Sequence, residues 1–386
     1  MIATLPKTAV GLSSVTVETI GEAPDFAVLR QEWDELLQAS DSDGLFLTWE
    51  WLYTWWKYLA GDRRLLILAV RCEGELAALA PCCLRPPSLF RWRPLPVLEF
   101  LGNGSVGSDY LDIIVRKGRE PEARLALASR LAGERVMLRW TQIKRRGCLA
   151  AGVAAALGED GWSVAEAETN TCPFIPLAGQ SWESYLATLG AEHRYNFHRK
   201  WKRLNRDFSV QFEQVRTAAQ CRESIDQTIA LHNLRWRDRG GSDAFHTPAL
   251  VEFHREFSQV ALERGWLRLY VLRLDGKMAA CLYGFLYRGT FYFYQSGFDS
   301  RYDKYSAGLV TMGLAIKSAI EEGAEEYDLL HGNEAYKSHW SHESRELGRL
   351  EVYPPGAMGW ICRSSVELER ASRRLARRVL PKGAFA

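Results

Sequence analysis

Five side chains able to carry protons or charge crowd into one short run: Asp328, His331, Glu334, Tyr336 and Lys337. A carboxylate or imidazole held at a cleft accepts a proton from an attacking amine, directly or through water, and a neighbouring phenol or ammonium returns a proton or neutralises developing negative charge. The run follows Glu326 to Leu330, which reads as a strand, and α/β sheets place their ligands at the C-terminal ends of strands. Upstream, the strand-like Phe291 to Gln295 passes through a Gly and Ser turn. Ser306-Ala307-Gly308 then opens a helix with apolar residues at Leu309, Met312, Ile316 and Ile320. The first turn of a helix presents amides without intrahelical acceptors and the positive end of the dipole, so small residues there suit a phosphate or pyrophosphate. Blander readings stand beside these: Asp328 could cap its own loop, and Ser306 could simply start a helix.

These segments must be positioned by a chain of 386 residues, enough for two domains and a substantial core. With 47% hydrophobic and 25% charged residues the composition is globular, and a net charge of +2 argues against a whole-molecule polyanion binder. No apolar run approaches the roughly 20 residues of a membrane span, and the first residues lack a signal-peptide core, so we expect the cytoplasm. The eight cysteines show no metal-ligand spacing and several fall in apolar strand-like runs, which reads as buried thiols without a metal. The fourteen tryptophans read first as packing, and second as a carbohydrate or lipid surface.

Two octets share one pattern. Arg71-Cys72-Glu73-Gly74-Glu75-Leu76-Ala77-Ala78 and Arg273-Leu274-Asp275-Gly276-Lys277-Met278-Ala279-Ala280 each join two strand-like runs. Acidic-Gly between apolar runs predicts a hairpin. An aromatic amphipathic helix precedes each, Trp49 to Leu59 and Leu250 to Arg264, so the order points to duplication of an α/β unit. After the second octet come the helix at Ser306 and the Asp328 to Lys337 run. The first is followed by a Gly-rich turn, Gly102-Asn103-Gly104-Ser105, then Asp109-Tyr110-Leu111-Asp112, with the next helix delayed to about Pro121. The first half therefore reads as a partner that walls the acceptor cleft.

The sequence resembles a known family. Ser296-Gly297-Phe298-Asp299, Tyr305-Ser306-Ala307-Gly308-Leu309, Tyr327-Asp328 and Gly332-Asn333-Glu334-Ala335-Tyr336-Lys337-Ser338-His339-Trp340 look like the signature of the CelD-like (BioF2-like) acetyltransferases, a branch of the GNAT superfamily similar to the Fem peptidyltransferases. Leu231-His232-Asn233-Leu234-Arg235-Trp236 and Phe46-Leu47-Thr48-Trp49-Glu50-Trp51 fit as well. The resemblance implies an α/β fold with a mixed sheet in tandem GNAT-like domains, the N-terminal one non-catalytic: residues 14–175, then 176–357 with the acyl-donor site, then a basic helix and tail, 358–386. It implies acyl-CoA as co-substrate, bound by Tyr305, Ser306, Ala307, Gly308 and Leu309. Amides around Gln295, Ser296 and Gly297 would face the thioester oxygen. A thiolate-protonating tyrosine is expected in the region of Tyr336, and Lys337 belongs to the family's Tyr-Lys pair.

Glu192 to Arg206 concentrates positive charge, with Arg194, Arg199, Lys200, Lys202, Arg203 and Arg206 against Glu192. We expect Arg194, Arg199, Lys200 and Arg203, with Trp236, to bind a phosphorylated acceptor; RNA and a solvated helix face are the alternatives. The tail from Trp360 to Leu380 mixes arginines with apolar residues and either docks on the body or rests on anionic lipid at the inner membrane. The expected function is acyl-CoA-dependent N-acylation of an amine on a cell-envelope precursor, foremost an amino sugar of an exopolysaccharide. The alternatives are a Fem-like ligase using aminoacyl-transfer RNA, an N-acyltransferase on a sphingoid-type lipid amine, and a non-catalytic glycan- or nucleotide-binding subunit of polysaccharide export.

Overall fold

The computed structural model describes residues 14–88, 94–237, 244–332 and 334–379, without the side chains of 235–237, 373, 374 and 376–379. Within it the two octets fold alike. Glu73 and Gly74 take φ of 54° and 85°, and Asp275 and Gly276 take 50° and 76°. That left-handed pair lets a two-residue turn follow the twist of the strands it joins. The first hairpin is β2 (Arg64–Cys72) with β3 (Glu75–Arg85), the second β9 (Leu267–Leu274) with β10 (Lys277–Tyr287). Each ladder skips one alanine just past the turn, Ala77 in one and Ala279 in the other. These occupy the same place in the octet.

Before them the first half contributes β1 (Val15–Ile20), α1 (Ala23–Val28), α2 (Arg30–Gln38) and α3 (Trp49–Leu59). After them come β4 (Val97–Phe100), β5 (Ile114–Val115), α4 (Glu120–Ala132), β6 (Met137–Lys144), α5 (Leu149–Glu159) and the long β7 (Ser163–Pro176). The second half runs through α6 (Trp182–Thr188), α7 (Ala191–Asp207), β8 (Val210–Gln214), α8 (Ala218–Arg237) and α9 (Pro248–Glu263). Its second hairpin leads to β11 (Thr290–Phe298), α10 (Ala307–Glu321), β12 (Glu326–Asp328), β13 (Glu343–Tyr353) and α11 (Ala357–Val379).

The main path of the sheet reads β1-β2-β3-β4-β6-β13-β7-β12-β11-β10-β9-β8, with β5 on β3. Two neighbouring pairs are parallel, β4 with β6 and β11 with β12. The last strand, β13, returns to lie between β6 and β7, so the middle of the sheet is woven from both halves of the sequence. The two aromatic helices meet face to face across the seam: the Trp51 ring of α3 stands edge-on to Phe253 and Phe257 of α9, centroids 5.0 and 4.7 Å apart. One apolar core runs through both halves from Phe26 to Val352. All eight cysteines are buried free thiols.

The expected strand Glu326 to Leu330 stops at Asp328. The Asp328 carboxylate takes the amide of Leu330 at 2.7 Å, and Leu330 turns left-handed at φ 55°, out of the extended conformation that would continue the ladder.

Candidate active site

The site lies where the two parallel strands of the second half part. Their register ends at Tyr292 beside Asp328, while β11 continues to Phe298. Opposite β10 the ladder passes from Phe293 to Gln295, leaving Tyr294 as an inserted residue. Such a bulge re-aims the side chains and amides around it.

On one side of the gap lies a cavity of about 270 Å³ between the end of β11, the first turn of α10 and Trp340. Ser296 and Phe298 line it from the strand, and Ser306, Ala307, Gly308 and Leu309 from the helix start. Ser306 caps α10 in a left-handed conformation, φ 55° and ψ 49°, without its side chain closing on a backbone amide. The first amides are thus left for a ligand. A Cβ at Gly308 would lie 3.0 Å from the Phe298 ring, so glycine is what allows this helix start to meet the strand. At Gly313 a Cβ would overlap the Phe197 ring, so glycine there also lets α7 close on α10.

A wider groove of about 590 Å³ continues from this cavity along α7, past His193, Asn196, Lys200, His339 and His342. His193 and His339 stack at 5.5 Å. Burial, then the His339 charge, holds the His193 imidazole below its usual range.

On the other side lies a cavity of about 230 Å³, walled by Ser105, Val106 and Gly107 of the first half and by Phe293, Tyr294, Gln295, His331, Glu334 and Lys337 of the second. Tyr336 borders both cavities.

At the back of the second cavity His331 is held by a residue that sequence reasoning passed over. Asp109, fully buried in the first half, accepts from the His331 ring Nδ1 at 2.7 Å and from the His331 backbone amide at 2.9 Å. The Gln142 amide donates to the same carboxylate at 2.7 Å, and Asn170 in turn donates to the Gln142 carbonyl oxygen at 3.2 Å. With Nδ1–H bound to Asp109, the neutral imidazole keeps its lone pair on Nε2, the geometry of a general base. Burial pulls the His331 pKa down, but the hydrogen bond and charge of Asp109 more than offset it and the net shift is upward.

Asp328 sits one residue before this cavity wall, buried. It accepts from the Tyr110 hydroxyl at 2.7 Å, and Arg345 stands 3.5 Å away. Burial pushes its pKa up to about 7, with the charges of Asp109 and Glu326 adding to the rise against the bonds from Tyr110 and the Leu330 amide.

Lys337 is also buried. Its ammonium donates to the carbonyls of Leu330 and His331 at 3.3 and 2.9 Å and pairs with Glu334 at 3.1 Å. It ties Leu330, His331 and Glu334 together. Three of the non-glycine residues with positive φ, Tyr110, Gln142 and Leu330, converge on the two aspartates. The others are Glu73, Asp275 and Arg288, each preceding the glycine of a hairpin turn, and the helix cap Ser306. Left-handed backbone costs about 1–3 kcal/mol per residue and collects where function demands it.

Of the remaining expected site residues, Tyr305 is buried against Phe208, its ring centroid 4.9 Å away. Arg203 lies over the Tyr305 ring at 4.9 Å. Arg194 bonds the carbonyls of Ala187 and Leu189 at the C-terminal end of α6, and Arg199 bonds Asn196. Lys200 donates to the Lys304 carbonyl at 2.8 Å beside the helix start. Of these cations Lys200 lines the wider groove, and none lines the cavity under His331. The side chain of Trp236 lies outside the described residues.

Residues 191–338 match the acetyltransferase (GNAT) domain family. No curated protein matches the sequence. Among solved structures the chain is similar to FemX, at 13% identity and a TM-score of 0.61, covering 83% of this chain and 95% of that one. It is also similar to the C-terminal domain of a putative lysylphosphatidylglycerol synthetase from Agrobacterium fabrum, at 12% identity and a TM-score of 0.54, over 90% and 96% of the two chains. L-PGS from Bacillus licheniformis shares 12% identity and a TM-score of 0.51, over 92% and 99%. At such identities the shared property is the fold. The chain has a Fem-like fold, and residues 191–338 of its second half carry the match to the GNAT acetyltransferase domain.

Proposed function

We propose that the protein transfers an acyl group from acyl-CoA to an amine of a cell-envelope precursor, foremost an amino sugar of an exopolysaccharide. The observation that carries this reading is the meeting of two cavities at Tyr336, one ending on the bare amides of α10 and the other backed by the His331–Asp109 pair.

The small-residue turn Ser306-Ala307-Gly308 fits a pyrophosphate, and the groove with Lys200 fits the further phosphate of the donor. The thioester would then lie against the β11 edge beyond Tyr292, where an amide of Gln295 to Gly297 polarises its carbonyl. The acceptor arrives as an ammonium, drawn by Glu334, and gives a proton to Nε2 of His331. The free amine attacks the carbonyl carbon, the C–S bond breaks, and the departing thiolate takes a proton from Tyr336. The proton shed by the new amide nitrogen leaves to water, and Tyr336 regains its own from solvent. Asp109 holds the imidazolium until the ring returns its proton to solvent; Lys337 keeps Leu330 and His331 in place.

A second reading replaces acyl-CoA with aminoacyl-transfer RNA. It is favoured by the cationic α7 lying along the wide groove rather than the acceptor cavity. Turnover and thermal shift against acyl-CoAs of increasing chain length and against charged transfer RNA separate the two. Stabilisation and turnover with an acyl-CoA support the first; response to charged transfer RNA alone overturns it. Turnover with neither, against amino-sugar and sphingoid-type amines alike, returns the chain to a binding role.

A further inference from the structure

The C-terminal helix α11 turns an apolar stripe outward. Met358, Trp360, Ile361, Leu368 and Leu375 are five of the eleven large hydrophobic residues exposed among the described residues, Trp360, Leu368 and Leu375 being 70%, 69% and 64% exposed. Ile361, Leu368 and Leu375 are seven residues apart, one line along the helix. The opposite face is committed to the body: Cys362 and Val366 are buried against Leu95, Val97, Met137 and Tyr353, and Arg370 pairs with the buried Glu351 at 2.5 Å. The outward stripe is therefore not what holds the helix down.

We infer that α11 docks the protein on an anionic lipid surface, lying in the interface with this stripe immersed. Apart from Arg370, which is committed to Glu351, its sequence carries Arg363, Arg373, Arg374, Arg377 and Arg378 against Glu367 and Glu369, a surplus of three positive charges. Trp360, 70% exposed, stands on the same helix as the stripe. An apolar stripe with an exposed tryptophan, on a helix rich in arginine, matches the boundary between acyl chains and anionic headgroups.

Two other occupants fit less well. A second copy of the helix would bring like charges together, and the positions between the leucines, Ser364, Ser365, Ala371 and Ser372, are too small to make the alternate layer of a helix pair. A nucleic acid would use the charge but leave Ile361, Leu368 and Leu375 in water. The helix is also amphipathic rather than spanning; among the described residues no helix is long and apolar enough to cross a membrane. It sits over the first residues of β4 and β6, away from the strand ends that carry the site.

The test is flotation of the full-length protein with vesicles of phosphatidylcholine alone and of phosphatidylcholine with phosphatidylglycerol. We expect binding to the anionic vesicles only, weakened by salt, and lost by at least about tenfold both in Leu368→Glu/Leu375→Glu and in the fourfold Arg373, Arg374, Arg377, Arg378→Gln variant. Both variants should keep wild-type melting temperature and wild-type turnover of a water-soluble amine. Equal binding to neutral and anionic vesicles overturns the proposal. So does a wild-type dimer in light scattering that Leu368→Glu abolishes without any vesicle binding, or capture of RNA that the leucine variant retains. Because flotation reads lipid and not turnover, its result is independent of whether the donor is acyl-CoA.

Discussion

The two halves of the molecule share a plan, and they part company in what fills the gap between their parallel strands. In the first half the parallel pairing of β4 and β6 ends at Leu98 and Leu138, and two residues on in each strand Phe100 and Trp140 are buried with their rings stacked at 5.2 Å. In the second half β11 and β12 separate after Tyr292 and Asp328, and the corresponding space is open as the cavity at the start of α10. The segments after the strands differ too. The one leaving β11 reaches Ser306 and starts a helix at once, whereas the one leaving β4 wanders through Gly102 to Gly107, lends Ser105, Val106 and Gly107 to the cavity beside His331, and delivers Asp109 to His331. The two halves share a ladder, and the first supplies a wall and a carboxylate to the cavity of the second. The first half is thus more than a wall.

The comparison is broken most directly at the shared pair. His331→Ala should lower kcat by about 10²–10⁴-fold with donor affinity unchanged, the range expected for a lost general base. Asp109→Asn, a change in the half without a donor cavity, should cost about 10–100-fold. It should also shift the acidic limb of the kcat/KM profile to lower pH, because removing the carboxylate removes what raises the imidazole pKa. A profile that keeps its limb in Asp109→Asn would make the contact merely structural.

The next effect sharpens the contrast between filled and open gaps. Gly308→Trp should abolish acyl-CoA binding in isothermal titration while the protein still melts cooperatively, since its side chain enters the cavity beside Phe298. Phe100→Ala should do the converse, costing about 3–5 kcal/mol of stability by emptying packed volume, with donor affinity unaltered. Donor binding lost in Phe100→Ala and kept in Gly308→Trp would reverse the assignment of the two halves.

The smallest effect concerns Asp328. Its folded-state pKa of about 7 lies above the ordinary carboxylate value, so the folded state binds its proton more tightly than the unfolded chain. The stability this confers is complete below about pH 4 and is lost as pH rises through about 7. Asp328→Asn should therefore flatten the fall in melting temperature between about pH 5 and about pH 8. An unchanged slope would show that Asp328 is ionised throughout, held by Tyr110 and Arg345.

Much of this was legible along the chain, because local signals carry it. The hairpins follow from Glu73-Gly74 and Asp275-Gly276, where left-handed turns need those residue types. The helix start at Ser306 follows from small residues before an apolar stripe, and the basic α7 from its own composition. His331, Glu334, Tyr336 and Lys337 are drawn to one place because a single short loop carries them.

What sequence spacing left open depends on contacts across hundreds of residues. Nothing near Asp109 marks it as the partner of a histidine that lies on the far side of the sheet in sequence. Nor does the run Glu343 to Tyr353 announce that it returns between β6 and β7. The side of the gap on which Lys200 falls was likewise decided by packing, through the approach of Phe197 to Gly313. Hydrogen-bonded turns and helix starts are fixed by neighbours in the chain, whereas a buried carboxylate acquires its role only from the groups the folded sheet sets against it.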